Sequence, residues 1–161
     1  MNKVEFVTKY SGGFYGDTSK LEIRLKRIAE KLFDALNPVV KTLTDNYTLT
    51  EDDSNGIFCI GTDAKVISLP ATKAGLKYTI INTGAAGNNI VTISPVAADG
   101  ISGTITLAAT VVVDAGVIGK DLINTKATSN AGDSVVLIGT GVPGTTAWII
   151  QSSTGIWAAQ G

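Results

Sequence analysis

The chain contains no histidine, and that single absence removes several chemistries at once. A Ser-His-Asp or Cys-His nucleophilic site cannot be assembled. Neither can a zinc site that uses imidazole. There is one cysteine, Cys59, so no intrachain disulfide and no multi-thiolate metal site can form. Cys59 sits in the apolar run Ile57-Phe58-Cys59-Ile60 and reads as a small buried hydrophobe, not a nucleophile. Aromatic residues make up only 6%, and the part after residue 41 shows no stacking platform for sugars or bases. No run approaches the roughly 18 apolar residues that span a bilayer. The opening Met1-Asn2-Lys3-Val4-Glu5-Phe6 lacks a signal-peptide core, so the expectation is a soluble product made in the cytoplasm. Asn46-Tyr47-Thr48 fits the glycosylation pattern, but without a secretory route it carries no weight.

Strong charge is also missing. The formal net charge is −1, which excludes a general pull towards nucleic acid or an anionic membrane. The charge is unevenly spread. Residues 1–41 carry net +3, with both arginines, Arg24 and Arg27, and residues 42–161 carry net −4. The chain therefore has a basic front and an acidic body.

What is present favours β structure. Hydrophobic residues are 44% of 161, enough for a real core, and 18 glycines accompany many Val, Ile and Thr. Short strands are expected at 46–50, 56–61, 64–69, 76–82, 89–94, 104–107, 110–114, 120–125, 134–139, 146–152 and 155–158. Turn signals recur about every 8–12 residues, the rhythm of a sandwich or barrel. The expected fold is mainly β: an antiparallel β-sandwich or barrel-like domain behind an N-terminal arm and one short coiled-coil helix. The expected division is 1–17 arm, 18–40 oligomerising helix and 41–161 outer β domain.

The helix is expected over residues 19–36. Ser19-Lys20-Leu21-Glu22 matches a capping box, and Asn37-Pro38 ends the helix because the residue before proline avoids the α region. Leu21, Leu25, Ile28, Leu32, Ala35 and Val39 are spaced as an a/d seam, with Arg24, Lys26, Arg27, Glu30, Lys31 and Asp34 on the other faces. An isolated helix of this length is marginal in water, so the stripe needs a partner. The β body of the same chain is one candidate, and other copies are the favoured one. Before the helix, Phe6, Tyr10, Phe14 and Tyr15 crowd a glycine-punctuated segment too short to bury them. It either folds back on its own chain or docks its rings on another protein, and the second reading is favoured.

Three motifs fail on context. Gly139-Thr140-Gly141-Val142-Pro143-Gly144 has dinucleotide-loop spacing, but Pro143 and a strand stand where the helix should begin. It reads as a loop between strands. Glu51-Asp52-Asp53-Ser54-Asn55-Gly56 resembles a calcium loop, but Thr62 replaces the final bidentate glutamate. Asn55-Gly56 instead signals a hairpin. Glu51, Asp52, Asp53 and Asp63 offer a carboxylate pair on paper, yet all lie in expected surface turns. No enzyme activity, metal or cofactor is expected.

Residues 67–103, ISLPATKAGLKYTIINTGAAGNNIVTISPVAADGISG, resemble a module of tailed-bacteriophage virion proteins. The matching features are Leu69-Pro70, Gly75 to Tyr78, the Gly84 to Asn89 turn, Val91 to Pro95 and Ala98 to Ile101. Trp148-Ile149-Ile150 and Gly155-Ile156-Trp157 fit the tryptophan-bearing ends of such proteins. The resemblance covers residues 44–160 and spans capsid decoration proteins, head fibres and tail-fibre tips. It implies a virion structural protein on the capsid surface, commonly a trimer, with the major capsid protein and itself as partners. Residues 1–17 match no motif of the family. On this reading Val4, Phe6, Val7, Tyr10, Phe14 and Tyr15 grip the capsid. The rival is a receptor- or glycan-binding fibre tip.

Overall fold

The computed structural model describes residues 19–108 and 110–160, and omits the side chains of 19–22, 34 and 35. Among the described residues, one α-helix, α1 (Ser19–Leu36), precedes twelve strands. These are β1 (Val40–Leu43), β2 (Tyr47–Thr48), β3 (Gly56–Ile60), β4 (Lys65–Ser68), β5 (Lys77–Asn82) and β6 (Val91–Ser94). They continue as β7 (Asp99–Thr106), β8 (Val111–Asp114), β9 (Leu122–Asn124), β10 (Ser134–Gly139), β11 (Gly144–Thr154) and β12 (Ala158–Ala159). The chain divides into two compact units between Val39 and Val40.

In the first unit, α1 occupies the span expected from its spacing and stops at Asn37. The Asn37 backbone N–H and side-chain amide both donate to the Phe33 carbonyl, at 3.0 and 2.9 Å. This occupies a carbonyl that the helix end would otherwise orphan.

The second unit is mainly β, but its sheets are mixed, where antiparallel sheets were expected. One sheet has the order β1-β3-β5-β10-β11-β7-β8 and the other β12-β9-β6-β4-β2. The first six strands alternate between the sheets. β1, β3 and β5 lie side by side and parallel in the larger sheet. β2, β4 and β6 do the same in the smaller one. A parallel pair cannot be closed by a tight turn, and the usual crossover is a helix. Here the crossover is a strand of the opposite sheet, so the chain winds in coils of two strands each. Strands β9, β10 and β12 then return antiparallel.

Coiling explains why the hairpin expected at Asn55-Gly56 is absent. β2 and β3 belong to different sheets, so the turn carries the chain from one sheet to the other. Asn55 takes the left-handed conformation, φ 64°, and donates its backbone N–H to the Lys77 carbonyl at 2.7 Å. Gly56 is needed for space. A Cβ there would stand 2.7 Å from the Asp53 carbonyl oxygen and 2.8 Å from the Phe58 ring.

Both sheets feed one hydrophobic cluster. Phe58, Tyr78, Leu137 and Trp148 come from the larger sheet, and Ile67, Ile93 and Leu122 from the smaller. Tyr47, Phe58, Tyr78 and Trp148 form a row of rings with successive centroids 6.0, 6.4 and 5.5 Å apart. Offset and edge-on contacts at these distances add to simple area burial.

The crossing from β5 to β6 is held by amides. Asn82 donates through Nδ2 to Asn124 Oδ1 at 2.6 Å, and its Oδ1 accepts from Asn89 Nδ2 at 2.7 Å and from the Gly84 N–H at 2.9 Å. Asn89 also donates to the Ile60 carbonyl at 3.1 Å, and Asn124 donates to Asp133 and to the Ile156 carbonyl. Asn82, Asn89, Asn124 and Asp133 are all buried. The turn residues 83–89 are therefore a structured passage between sheets, anchored at both ends.

Candidate functional site

The residues expected to grip a partner, Val4, Phe6, Val7, Tyr10, Phe14 and Tyr15, lie outside the described residues. The expected oligomerisation seam falls mostly within them. At 100° per residue, Leu21, Leu25, Ile28, Leu32, Ala35 and Leu36 occupy about 100° of arc on one side of α1. Leu25 is half-buried, while Ile28 is 61% exposed, Leu32 51% and Leu36 68%. The backbones of Leu21 and Ala35 sit within α1.

Two details correct the seam. Val39 is exposed but lies past the end of α1, beyond Asn37-Pro38, so it cannot continue a helical stripe. Leu36 belongs to the stripe and was missed, because a strict 4-3 spacing steps from Ala35 to residue 39. A 3.6-residue period includes Leu36. Ile23, 52% exposed, projects from the opposite side of α1.

Three of the four acidic residues considered for metal or acid–base work, Glu51, Asp53 and Asp63, are found beside lysines. Glu51 pairs with Lys73 and Asp63 with Lys126, both on the surface. Such pairs contribute little to stability. Asp52 is exposed. Among the described residues, no cluster of three or more Cys, Asp or Glu could hold a metal ion. Residues 140–143 form the connection from β10 to β11, so the glycine-rich stretch is an inter-strand loop.

Asp53 is different because it is almost fully buried. It is the last residue of a single 3-10 turn, Glu51–Asp53, and turns its carboxylate back on the chain. Lys41 of β1 donates to Oδ1, Tyr47 of β2 offers its hydroxyl at 3.3 Å, and the Thr50 backbone N–H and hydroxyl donate to Oδ2, each at 3.0 Å. Lys41 also lies 5.3 Å from the Tyr47 ring centroid. The cluster pins the first coil of the β unit to the 3-10 turn. The Tyr78 hydroxyl reaches the same turn, donating to the Thr50 carbonyl at 2.8 Å.

Burial pushes the Asp53 carboxyl up, but the bonds from Lys41 and Thr50 outweigh it and hold it below 3.8. The hydrogen bonds to Asp53 and Tyr47 raise the Lys41 ammonium above 10.5. Burial, then the carboxylates of Asp53 and Glu51, push Tyr78 up to about 12. A lowered carboxyl pKa contributes stability above the unfolded value, lost as pH falls through the folded one. Raised pKa values on Lys41 and Tyr78 contribute stability below their unfolded values, lost as pH rises through the folded ones. Thermal stability should be level between about pH 5 and 9 and fall on both sides. In Asp53→Asn the acid fall should shrink. Thermal melts from pH 2.5 to 11 check this, and an unchanged acid limb in Asp53→Asn would remove Asp53 from the account.

No protein-family model, curated protein or solved structure matches the chain. Among the described residues, no helix is long and apolar enough to cross a membrane. Large apolar side chains left exposed include Ile28, Leu32 and Leu36 on α1, Val111 and Val113 on β8, and Val117, Ile118 and Val142 in loops.

Proposed function

We propose that the chain is a structural protein of a tailed-bacteriophage virion that decorates the capsid surface, as a cement protein or short head fibre. The supporting observation is the division of the chain. The β unit carries its own closed core, while α1 leaves an apolar stripe open in the single chain. A helix of that kind is suited to gather copies, and the β unit to stand as an independent outer module. The resemblance of residues 67–103 supplies the virion context, and those residues form strands and a tightly anchored crossing, as scaffold should. The two sheets over a common core make the outer module a β-sandwich in this reading. The arm, residues 1–17, then attaches to the capsid and α1 joins three copies.

The assembly half of this reading has a direct test. Leu25→Asp with Leu32→Asp places charge in the stripe and should yield a monomer, with the far-ultraviolet β signal retained. Sedimentation equilibrium reads the mass. A wild-type chain already monomeric at tens of micromolar would remove the helix bundle from the account. The attachment half is tested by co-sedimentation with capsids stripped of the protein, argued below. A fibre-tip role would instead show as binding to host glycan or receptor with no affinity for capsids.

A further inference from the structure

The two borders of the α1 stripe differ in charge. Placed at 100° per residue, Arg24 and Lys31 stand about 20° and 40° outside the stripe on one side. Both are exposed. Lys20 and Arg27 lie behind them on the same side by their place on the helix. On the other side, Ala29 and Glu22 stand about 20° and 40° outside it. One border is therefore a row of cations, and the other holds one neutral and one acidic residue.

The two ends of the stripe differ as well. At its start Leu25 is half-buried, while Ile28, Leu32 and Leu36 are exposed. The apolar exposure then runs on past Asn37-Pro38. Val39 and Val40 are 55% and 62% exposed, so the uncovered apolar residues gather towards the point where the chain enters the β unit. Val40 opens β1, which is an edge strand of the larger sheet among the described residues.

We propose that α1 joins copies of this chain in parallel, and that the contact continues past the helix onto Val39, Val40 and the β1 edge of the neighbouring copy. The proposal rests on the reading of the chain as a homo-oligomer, and it sets the direction of the partner. Antiparallel packing lays each border of a stripe against the same border of its partner. Arg24 would then face Lys31 twice over, and like charges set against each other are destabilising. Parallel packing lays the cation row against the border of Glu22 and Ala29, where no cation opposes it. The ends agree with the borders. Reversing one helix carries Val39 and Val40 past the partner's Leu21, where the stripe begins, and leaves them in water. Parallel packing sets each residue beside its own number, so Leu36, Val39 and Val40 of the copies meet one another. All copies then enter their β units at one end of the bundle and carry residues 1–17 at the other. That arrangement suits an attached base and an outward module.

The test uses the full-length chain with Cys59→Ser, so that each added thiol stands alone. Leu25→Cys and Leu32→Cys chains are mixed in equal amounts, assembled and oxidised, and the joined peptides are mapped by mass spectrometry. Positions 25 and 32 are about 10 Å apart along a helix, too far for a disulfide between parallel helices in register. Parallel packing therefore joins 25 to 25 and 32 to 32. Links from 25 to 32 overturn the proposal. A second variant leaves the stripe untouched. Val39→Lys should raise the concentration at which copies assemble by about fivefold or more, and Asn88→Lys, in the turn between β5 and β6, should leave it unchanged. An unchanged value in Val39→Lys overturns the contact past the helix. Sedimentation equilibrium on the same samples separates the proposal from the reading beneath it. An assembled wild type whose variants link 25 to 32 keeps the homo-oligomer and loses the parallel order. A wild-type chain monomeric throughout overturns both.

Discussion

Asn82→Ala should lower the stability of the β unit by roughly 3–5 kcal/mol, the largest loss expected from removing one polar side chain. Four buried groups lose a partner together: Asn124 Oδ1, the Asn89 carbonyl, one hydrogen of Asn89 Nδ2, and the Gly84 N–H. An orphaned buried donor or acceptor costs about 1–3 kcal/mol, and the four share one network, so the sum is less than additive. For a unit of this size, about 3–5 °C of melting temperature accompanies each kcal/mol, which gives a fall of roughly 10–20 °C. Asn88→Ala, exposed in the same turn, is the control and should stay within about 0.5 kcal/mol. Differential scanning calorimetry of both variants checks this. A loss below about 1 kcal/mol in Asn82→Ala would mean the chain crosses between sheets without needing its amides.

The same network shows why the topology could not be read from the sequence. Asn82 to Asn89 is rich in turn formers, and turn formers identify a reversal without saying where the next strand pairs. The strand positions were legible because alternation is local. Ten of the eleven expected segments overlap observed strands by two residues or more, and the eleventh overlaps β12 at Ala158 alone. β1 was missed because Val40–Leu43 follows Asn37-Pro38 so closely that it looked like the end of the helix region. Parallel pairing was missed because registers such as Ile57 with Thr79 and Lys65 with Val91 join residues more than twenty apart. No short-range signal encodes that separation. Cys59 shows the cost of reading composition without phase. Its apolar neighbours suggested burial, but Phe58 and Ile60 take the inward positions and leave Cys59 half-exposed on the outer face. In α1 the error was one of period: the seam ran on to Val39 and passed over Leu36.

Deleting residues 2–16 should leave both the oligomer and the β unit intact and abolish binding to capsids. Four of the chain's ten aromatic residues, Phe6, Tyr10, Phe14 and Tyr15, fall in a segment that also holds Gly12, Gly13 and Gly16. Glycines let the backbone take conformations barred to other residues, though ordering them costs more entropy, and rings supply large contact area with few rotatable bonds. Among the described residues, the core cluster of the β unit draws on residues after 40. An arm that orders on binding meets an entropic cost, so one copy binds weakly, and joining copies through α1 raises the effective concentration of the rest. Phe6→Ala and Tyr10→Ala should each weaken attachment by roughly 1–2 kcal/mol per copy, the range of an aromatic anchor at an interface. Leu25→Asp with Leu32→Asp should weaken it further than either, because it dissolves the multivalency while leaving every arm unchanged. Co-sedimentation with stripped capsids ranks the four variants. If the deletion variant still binds at wild-type occupancy, attachment lies in α1 or the β unit.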